Sequence, residues 1–463
     1  MLYHSTRGQA PAVGFADALL AGLAPDGGLY VPQSWPKLSL ETIAGFAGKP
    51  FHEVAVEVLK PFVAGSIPDD VLEQCSREAY ASFEHNAITP LVQIDKNQFI
   101  LELFHGPTLA FKDVAMQLIA RLMDYVLTQR NETATIVCAT SGDTGGAAAE
   151  AFRGRNRIEM VVLFPDGRVS DVQRRMMTTP KEQNIHALSI TGNFDDCQAL
   201  VKGMFNHYAF RDKVKLAGVN SINWGRIIGQ ITYYFVAACA LGAPNRKVSF
   251  AVPTGNFGDV FAGFVAKRMG LPIEKLIVAT NQNDILARTL NTGRYELRDV
   301  AVTTSPSMDI QVSSNFERLL FDATNNDAAS VRDMMGGLKQ SGAFTVPDAA
   351  LERIRSEFSA YSASEHDVVA QIQNTLSKTG YLLEPHTATA VIAAQRADGD
   401  ASIPMIILAT AHPAKFPDAV KAACGIDAHL PERLNHIMVE DECMTHVSNN
   451  QDAVENYILS HVL

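Results

Sequence analysis

The sequence predicts an α/β protein built on parallel sheets with helices on both faces. Three observations carry this. From about Leu91 onward short β-rich runs alternate with helical ones. Several of those runs break into glycine-rich loops that open a helix. The 463 residues exceed one ordinary domain and suit two or three.

Before Leu91 the pattern differs. Residues 15–23, 38–47, 51–63 and 70–84 read as short apolar helices, and 28–32 as an extended piece. Asp26-Gly27-Gly28, Pro32, Pro36, Pro50 and Pro68 punctuate them. Residues 1–90 therefore read as an N-terminal accessory domain. Strands are expected at 99–104, 135–140, 160–164, 187–191, 216–219, 248–252, 276–280 and 405–410, with helices between them. Residues 131–220 read as a self-contained set of β-α repeats. Residues 315–400 read as helix-rich, with helices at 351–361, 368–377 and 386–397.

The formal net charge of −11 argues against a nucleic-acid partner. Residues 151–220 nevertheless hold eleven Lys and Arg against seven Asp and Glu. That local excess suits an anionic small molecule, or is an ordinary solvated face. The first residues lack the apolar core of a secretory signal, and the apolar stretch 231–243 is interrupted by Thr232 and Gly242. A cytoplasmic protein without membrane contact is expected. The six cysteines are scattered, with no C-x-x-C pair and no histidine at ligand spacing, so no metal is expected.

Six segments carry candidate chemistry. Lys112 follows Leu109-Ala110-Phe111 and opens a helix whose apolar positions are Val114, Leu118, Leu122 and Val126. A helix start and apolar neighbours both disfavour an ammonium, lowering the pKa from about 10.4 and freeing a nucleophilic amine. The alternative is a surface lysine paired with Asp113 or Glu102. Ser141-Gly142-Asp143-Thr144-Gly145 opens an alanine-rich helix, so its N–H groups and hydroxyls suit a carboxylate, or Ser141 or Asp143 is simply the helix cap. Gly255-Asn256-Phe257-Gly258-Asp259 follows a strand and precedes a helix, as a phosphate cup does. Asn223 and Arg226 open another helix, where Arg226 offers a bidentate fork for phosphate or is a first-turn charge. Arg168 and Ser170 are further candidates, and Thr410 ends an apolar strand. No dinucleotide or nucleoside-triphosphate fingerprint occurs.

His105-Gly106-Pro107-Thr108, Phe111-Lys112-Asp113, the run Ala139 to Gly145 and Pro253 to Asp259 together resemble the threonine synthases. These are pyridoxal-phosphate enzymes of the tryptophan synthase β, or fold type II, group. The resemblance extends from Ser5-Thr6-Arg7-Gly8 to Thr410 through Phe416. It implies two three-layer α/β domains, the smaller one mobile, spanning 131–220 and inserted into a larger one made of 91–130 and 221–463, with the N-terminal domain covering the core. It implies that Lys112 bears pyridoxal phosphate and acts as acid and base, and that Gly255, Asn256, Phe257 and Asp259 hold the cofactor phosphate. Thr410 would face the pyridine nitrogen. Ser141, Gly142, Asp143 and Thr144 would hold the substrate carboxylate, and Asn223, Arg226 and Arg168 the substrate phosphate. The implied reaction converts O-phospho-L-homoserine and water to L-threonine and phosphate, in a monomer or homodimer. Two rivals stand beside it: a phospho-lyase giving 2-oxobutyrate from the same substrate, and a non-catalytic pyridoxal-phosphate carrier.

Overall fold

The computed structural model describes residues 1–462. Strands β1 (Leu2–Ser5), β2 (Val13–Gly14) and β3 (Tyr30–Pro32) form a small antiparallel sheet in the order β2-β1-β3. Helices Phe15–Ala21, Leu40–Ala44, Phe51–Val63 and Asp69–Tyr80 complete this part. In the third of these, Val54, Ala55, Val58, Leu59 and Phe62 recur at helical spacing, and all are buried. The segment is moored to the body through charge as well as apolar packing. Arg7 forks onto Glu317, with Nε and Nη2 at 3.2 and 3.0 Å.

Strands β4 (Leu91–Asp95) and β5 (Gln98–Glu102) form an antiparallel hairpin, followed by the helix Lys112–Arg130. Then come β6 (Ala134–Ala139), β7 (Ile158–Pro165), β8 (Ile185–Ile190) and β9 (Leu216–Ala217), separated by helices. After the helix Trp224–Ala240 the chain lays down β10 (Val248–Pro253) and β11 (Ile273–Thr280). A small antiparallel pair, β12 (Arg294–Glu296) with β13 (Ala343–Thr345), precedes β14 (Phe358–Ser362), β15 (Met405–Ala409) and β16 (Thr445–Val447). The six-stranded sheet runs β14-β11-β10-β15-β5-β4, and the five-stranded sheet β16-β8-β7-β6-β9. Every pairing in both is parallel except β4 with β5. Strand β10 is buried at all its positions and is apolar throughout except for Ser249, as suits a strand covered on both faces. No helix among the described residues is long and apolar enough to cross a membrane.

Register sets the site. Ala409 lies opposite Glu102, and Ile407 opposite Ala251, so β5, β15 and β10 end side by side. The loops carrying Lys112, Thr410 and Gly255 leave those three adjacent ends.

Two expectations are corrected. Residues 351–361 do not form one helix: the helix Asp348–Glu357 gives way to β14, in which Phe358 and Ala360 point inward at a period of two. Nor does all of 221–463 join the larger sheet. Strand β16 pairs with β8, and Val454 and Ile458 of the helix Gln451–His461 pack with Val137, Leu163 and Leu188 of the smaller sheet.

Candidate active site

The lysine loop is built by its own polar side chains. Asp113 accepts from the N–H and hydroxyl of Thr108 at 2.8 and 2.6 Å, tying the loop into a turn. Full burial pushes the Asp113 carboxyl up to about 6 against those hydrogen bonds. The loop is fastened to the end of β15, where Phe111 N–H donates to the Thr410 carbonyl at 2.9 Å and Ala110 bridges to Ala411. This puts the Lys112 amine in a cavity of about 1080 Å³ between the two sheets and the N-terminal segment.

Lys112 is buried, with its Nζ 5.0 Å from the centre of the Phe111 ring. Neither Asp113 nor Glu102 is its partner; Glu102 accepts instead from His105 and Tyr381. The partner is Asp143, whose Oδ2 lies 3.1 Å from Nζ. A second buried lysine, Lys415, reaches the Oδ1 of the same carboxylate at 2.7 Å and donates to the Thr108 carbonyl at 2.8 Å. Gln173 Nε2 adds a hydrogen bond to Oδ1 at 2.9 Å. Burial works against ionisation of Asp143, yet the two ammoniums hold its carboxyl well below the usual range. Burial also lowers Lys112, assisted by the charges of Lys415 and Arg226, while Asp143 opposes the shift.

At the end of β10 the helix Gly258–Arg268 begins without a side-chain cap, and residues 253–259 all line the cavity. Its first-turn N–H groups therefore remain donors for an anion. A side chain at Gly255 would bring a Cβ to 2.7 Å from the Ser307 carbonyl oxygen, so the close fold of this loop requires glycine. Phe257 takes a positive φ of 64°, held there by packing on Phe316 and Phe358. Asn315 braces the loop from behind, donating from Nδ2 to the carbonyls of Asn256 and Ser221 at 3.0 Å. Asp259 is buried; its Oδ1 accepts from the hydroxyls of Tyr233 and Tyr234, and its Oδ2 has no partner among the described residues. With no cation in contact, burial pushes its carboxyl up to about 6.

Arg226 lines the same cavity, and burial lowers its guanidinium to about 10. Its Nη1 reaches the Val219 carbonyl at 3.4 Å, and its Nε has no partner among the described residues. Thr144, Asp143 and Thr410 also line the cavity.

Other expected residues do not reach it. Asn223 is fully buried, and its amide is used up on the backbone: Nδ2 donates to the Leu19 and Gly218 carbonyls and Oδ1 accepts from Gly225 N–H. It caps a helix and has nothing left for a phosphate. Arg168 is exposed and lies outside the cavity lining. Ser141 and Gly142 stand beside the lining, and neither Ser141 nor Asp143 caps the helix Asp143–Phe152. The Thr140 hydroxyl takes that task, accepting from the N–H groups of Gly142 and Gly145 at 2.9 Å.

Lys415, Gln173, Thr140 and His386 are site residues that sequence reasoning left out. His386 lines the cavity with Nε2 accepting from Ser307 N–H at 3.3 Å and Nδ1 bonded to Glu384 at 2.7 Å. Lys415 alone left a signal, a lysine set between Ala414 and Phe416 where a surface charge would be out of place.

Three family models match the chain: threonine synthase N terminus over residues 2–80, pyridoxal-phosphate dependent enzyme over 83–408, and threonine synthase, C-terminal, over 387–458. The threonine synthase of Pseudomonas aeruginosa is 49% identical over 462 residues, covering 100% of this chain and 98% of that protein. A crystal structure of pyridoxal-phosphate-bound threonine synthase from Brucella melitensis superposes with a TM-score of 0.97 at 62% identity, covering 100% of this chain and 99% of the other. The yeast threonine synthase structure gives 0.94 at 39% identity, covering 100% and 98%.

Pyridoxal phosphate is accordingly the cofactor. The residues present fit it on their own chemistry. A buried amine of lowered basicity stands at one strand end, an uncapped helix start with a glycine that tolerates no side chain stands at the next, and a hydroxyl-bearing Thr410 lies between them. From end to end, the chain belongs to the threonine synthase family of pyridoxal-phosphate enzymes.

Proposed function

We propose that the protein makes L-threonine and phosphate from O-phospho-L-homoserine and water. The observation that carries this reading is the convergence of Lys112, the loop 254–259, Thr410, Thr144 and Arg226 on one cavity. A carrier of the cofactor would need only the first two.

Bound pyridoxal phosphate supplies an electron sink for charge that develops beside the amino-acid nitrogen. Lys112 would hold its aldehyde carbon, the N–H groups of residues 255–259 its phosphate, and the Thr410 hydroxyl its ring nitrogen. A neutral hydroxyl does not force that nitrogen to stay protonated, which tempers the sink and suits elimination and replacement. Lys112, once released by the substrate amine, moves protons at Cα and then Cβ of the substrate while phosphate leaves from Cγ. Burial, with the charges of Lys415 and Arg226, lowers its basicity, which favours the free amine that a base must be. Cγ takes up a proton in place of the departed phosphate, and water then adds at Cβ. Thr144 and the neighbouring helix start receive the substrate carboxylate, and Arg226, buried without a carboxylate partner, receives the substrate phosphate. We place the reaction in the cytoplasm, where the six cysteines, none in a disulfide among the described residues, stay reduced.

The test is to supply the holoenzyme with O-phospho-L-homoserine and to quantify phosphate, threonine and 2-oxobutyrate together. Threonine equal to phosphate supports the synthase. Phosphate matched by 2-oxobutyrate overturns it in favour of the phospho-lyase.

A further inference from the structure

Lys415 is the second cation on Asp143 and has no part in the scheme above. Its side chain is 1% exposed, deeper than Lys112 at 9%. Its ammonium bridges two loops from different sheets: Asp143 Oδ1, at the helix start after β6, and the Thr108 carbonyl, in the lysine loop after β5. The distances rank the two lysines. Lys415 stands 2.7 Å from its carboxylate oxygen, Lys112 3.1 Å from the other.

We propose that Lys415 is a positioning residue of this active site: it is the standing counter-ion of Asp143, pinning the loop after β6 to the lysine loop and leaving the Lys112 amine free to give up its own contact with that carboxylate. The inference rests on Lys112 being the lysine that holds the cofactor.

The argument is one of charge. A buried carboxylate left with no cation is costly, whereas one that keeps a cation is not. Were Lys112 the only partner of Asp143, each withdrawal of its amine for chemistry would strand the carboxylate. Asp143 would then hold Lys112 as an ammonium. With Lys415 in place the carboxylate stays paired whatever Lys112 does. Lys415 also repels the Lys112 ammonium directly, as does Arg226, and these two effects act in the same direction. The groups facing Lys112 are Asp143 on the helix after β6, Lys415 on the turn Pro413–Lys415, Arg226 on the helix Trp224–Ala240 and Asp259 on the helix Gly258–Arg268. Only Lys415 both repels the amine and competes for its anion.

The test reads the amine without turnover. Apo-protein is mixed with pyridoxal phosphate over a range of pH, and the rate of capture is followed by the growth of visible absorbance. In Lys415→Met the pH midpoint of capture should move upward by about one unit, which makes capture near neutral pH about tenfold slower. Lys415→Arg, which keeps the cation, should restore the midpoint. Thermal melts establish that each variant is folded, and Lys415→Gln carries the measurement if Lys415→Met does not fold. An unmoved midpoint in a folded Met or Gln variant overturns the proposal, as does an equal shift in Lys415→Arg. Lys112→Ala separates the two readings. If it captures the cofactor as the parent does, the assignment of Lys112 falls; if the parent captures through Lys112 and Lys415→Met matches it, only the role of Lys415 falls.

Discussion

Asp143 and Asp259 hold equivalent places in the two sheets, each in the first turn of a helix that follows a buried strand. Both are buried, and burial raises both carboxyls. They nonetheless end on opposite sides of the ordinary carboxylate range. The ammoniums of Lys112 and Lys415 drive Asp143 well down, while the tyrosine hydroxyls around Asp259 leave it at about 6. The helix dipole is common to the two and cannot be the cause of the difference. Formal charge on the neighbours decides it.

The sharpest way to break this contrast is to remove its cations. Lys112→Ala should abolish phosphate release from O-phospho-L-homoserine while circular dichroism shows an intact fold; retained threonine formation would take Lys112 out of the chemistry. Asp143→Asn leaves two buried ammoniums facing a neutral amide and should cost about 3 kcal/mol in urea unfolding, the scale for losing one member of a buried pair. Asp259→Asn should be far milder, and equal losses for the two would erase the distinction between them.

The contrast also predicts opposite pH responses in the apo-protein. The folded Asp259 carboxyl, at about 6, keeps a proton that an unfolded aspartate near 3.8 has already released, so its contribution falls as pH rises through that window. The loss amounts to about 3 kcal/mol when complete, and Asp259→Asn should flatten that part of the stability-against-pH curve. Asp143 works the other way, contributing stability above the unfolded value that is lost as pH falls below it. Gly255→Val tests the backbone side of the loop. Its Cβ would meet the Ser307 carbonyl oxygen, and strain of about 1–3 kcal/mol should appear as weaker binding in a pyridoxal-phosphate titration. The smallest effect belongs to Asn223→Ala, about 1 kcal/mol of stability from a lost helix cap with KM unchanged. A raised KM would return Asn223 to the substrate site.

What could be read in the sequence followed from local rules. Gly255 and Thr410 were legible because each follows the end of a buried parallel strand, where loops collect ligands, and Lys112 because it opens a helix directly after the apolar Leu109-Ala110-Phe111 within a long motif. The misreadings have equally local causes. In β14 the alternation of Phe358 and Ala360 lasts only a few residues and continues directly from a helix, so the longer period hides it. Strand β16, Thr445–Val447, has no buried residue to mark it. Asn223 carries the right donors for a phosphate, but only coordinates show that three backbone groups have already claimed them. The pairing of Lys415 with Asp143 joins residues from distant parts of the chain and depends on how the two sheets face each other, which no spacing reports.

The return of β16 to the edge of β8 has a consequence for how the molecule comes into being. The smaller sheet is assembled from two stretches of sequence with the whole of the larger sheet's later strands between them. During synthesis β6, β7 and β8 emerge first, and the strand that covers β8 follows only after β10, β11, β14 and β15. Until it arrives, a nascent chain presents β8 with an open row of backbone donors and acceptors, a surface on which another copy can pair. Completion of the lobe that carries Asp143 therefore waits on β16, and the pairing of β16 with β8, which joins strands far apart in sequence, should be its slow step in refolding.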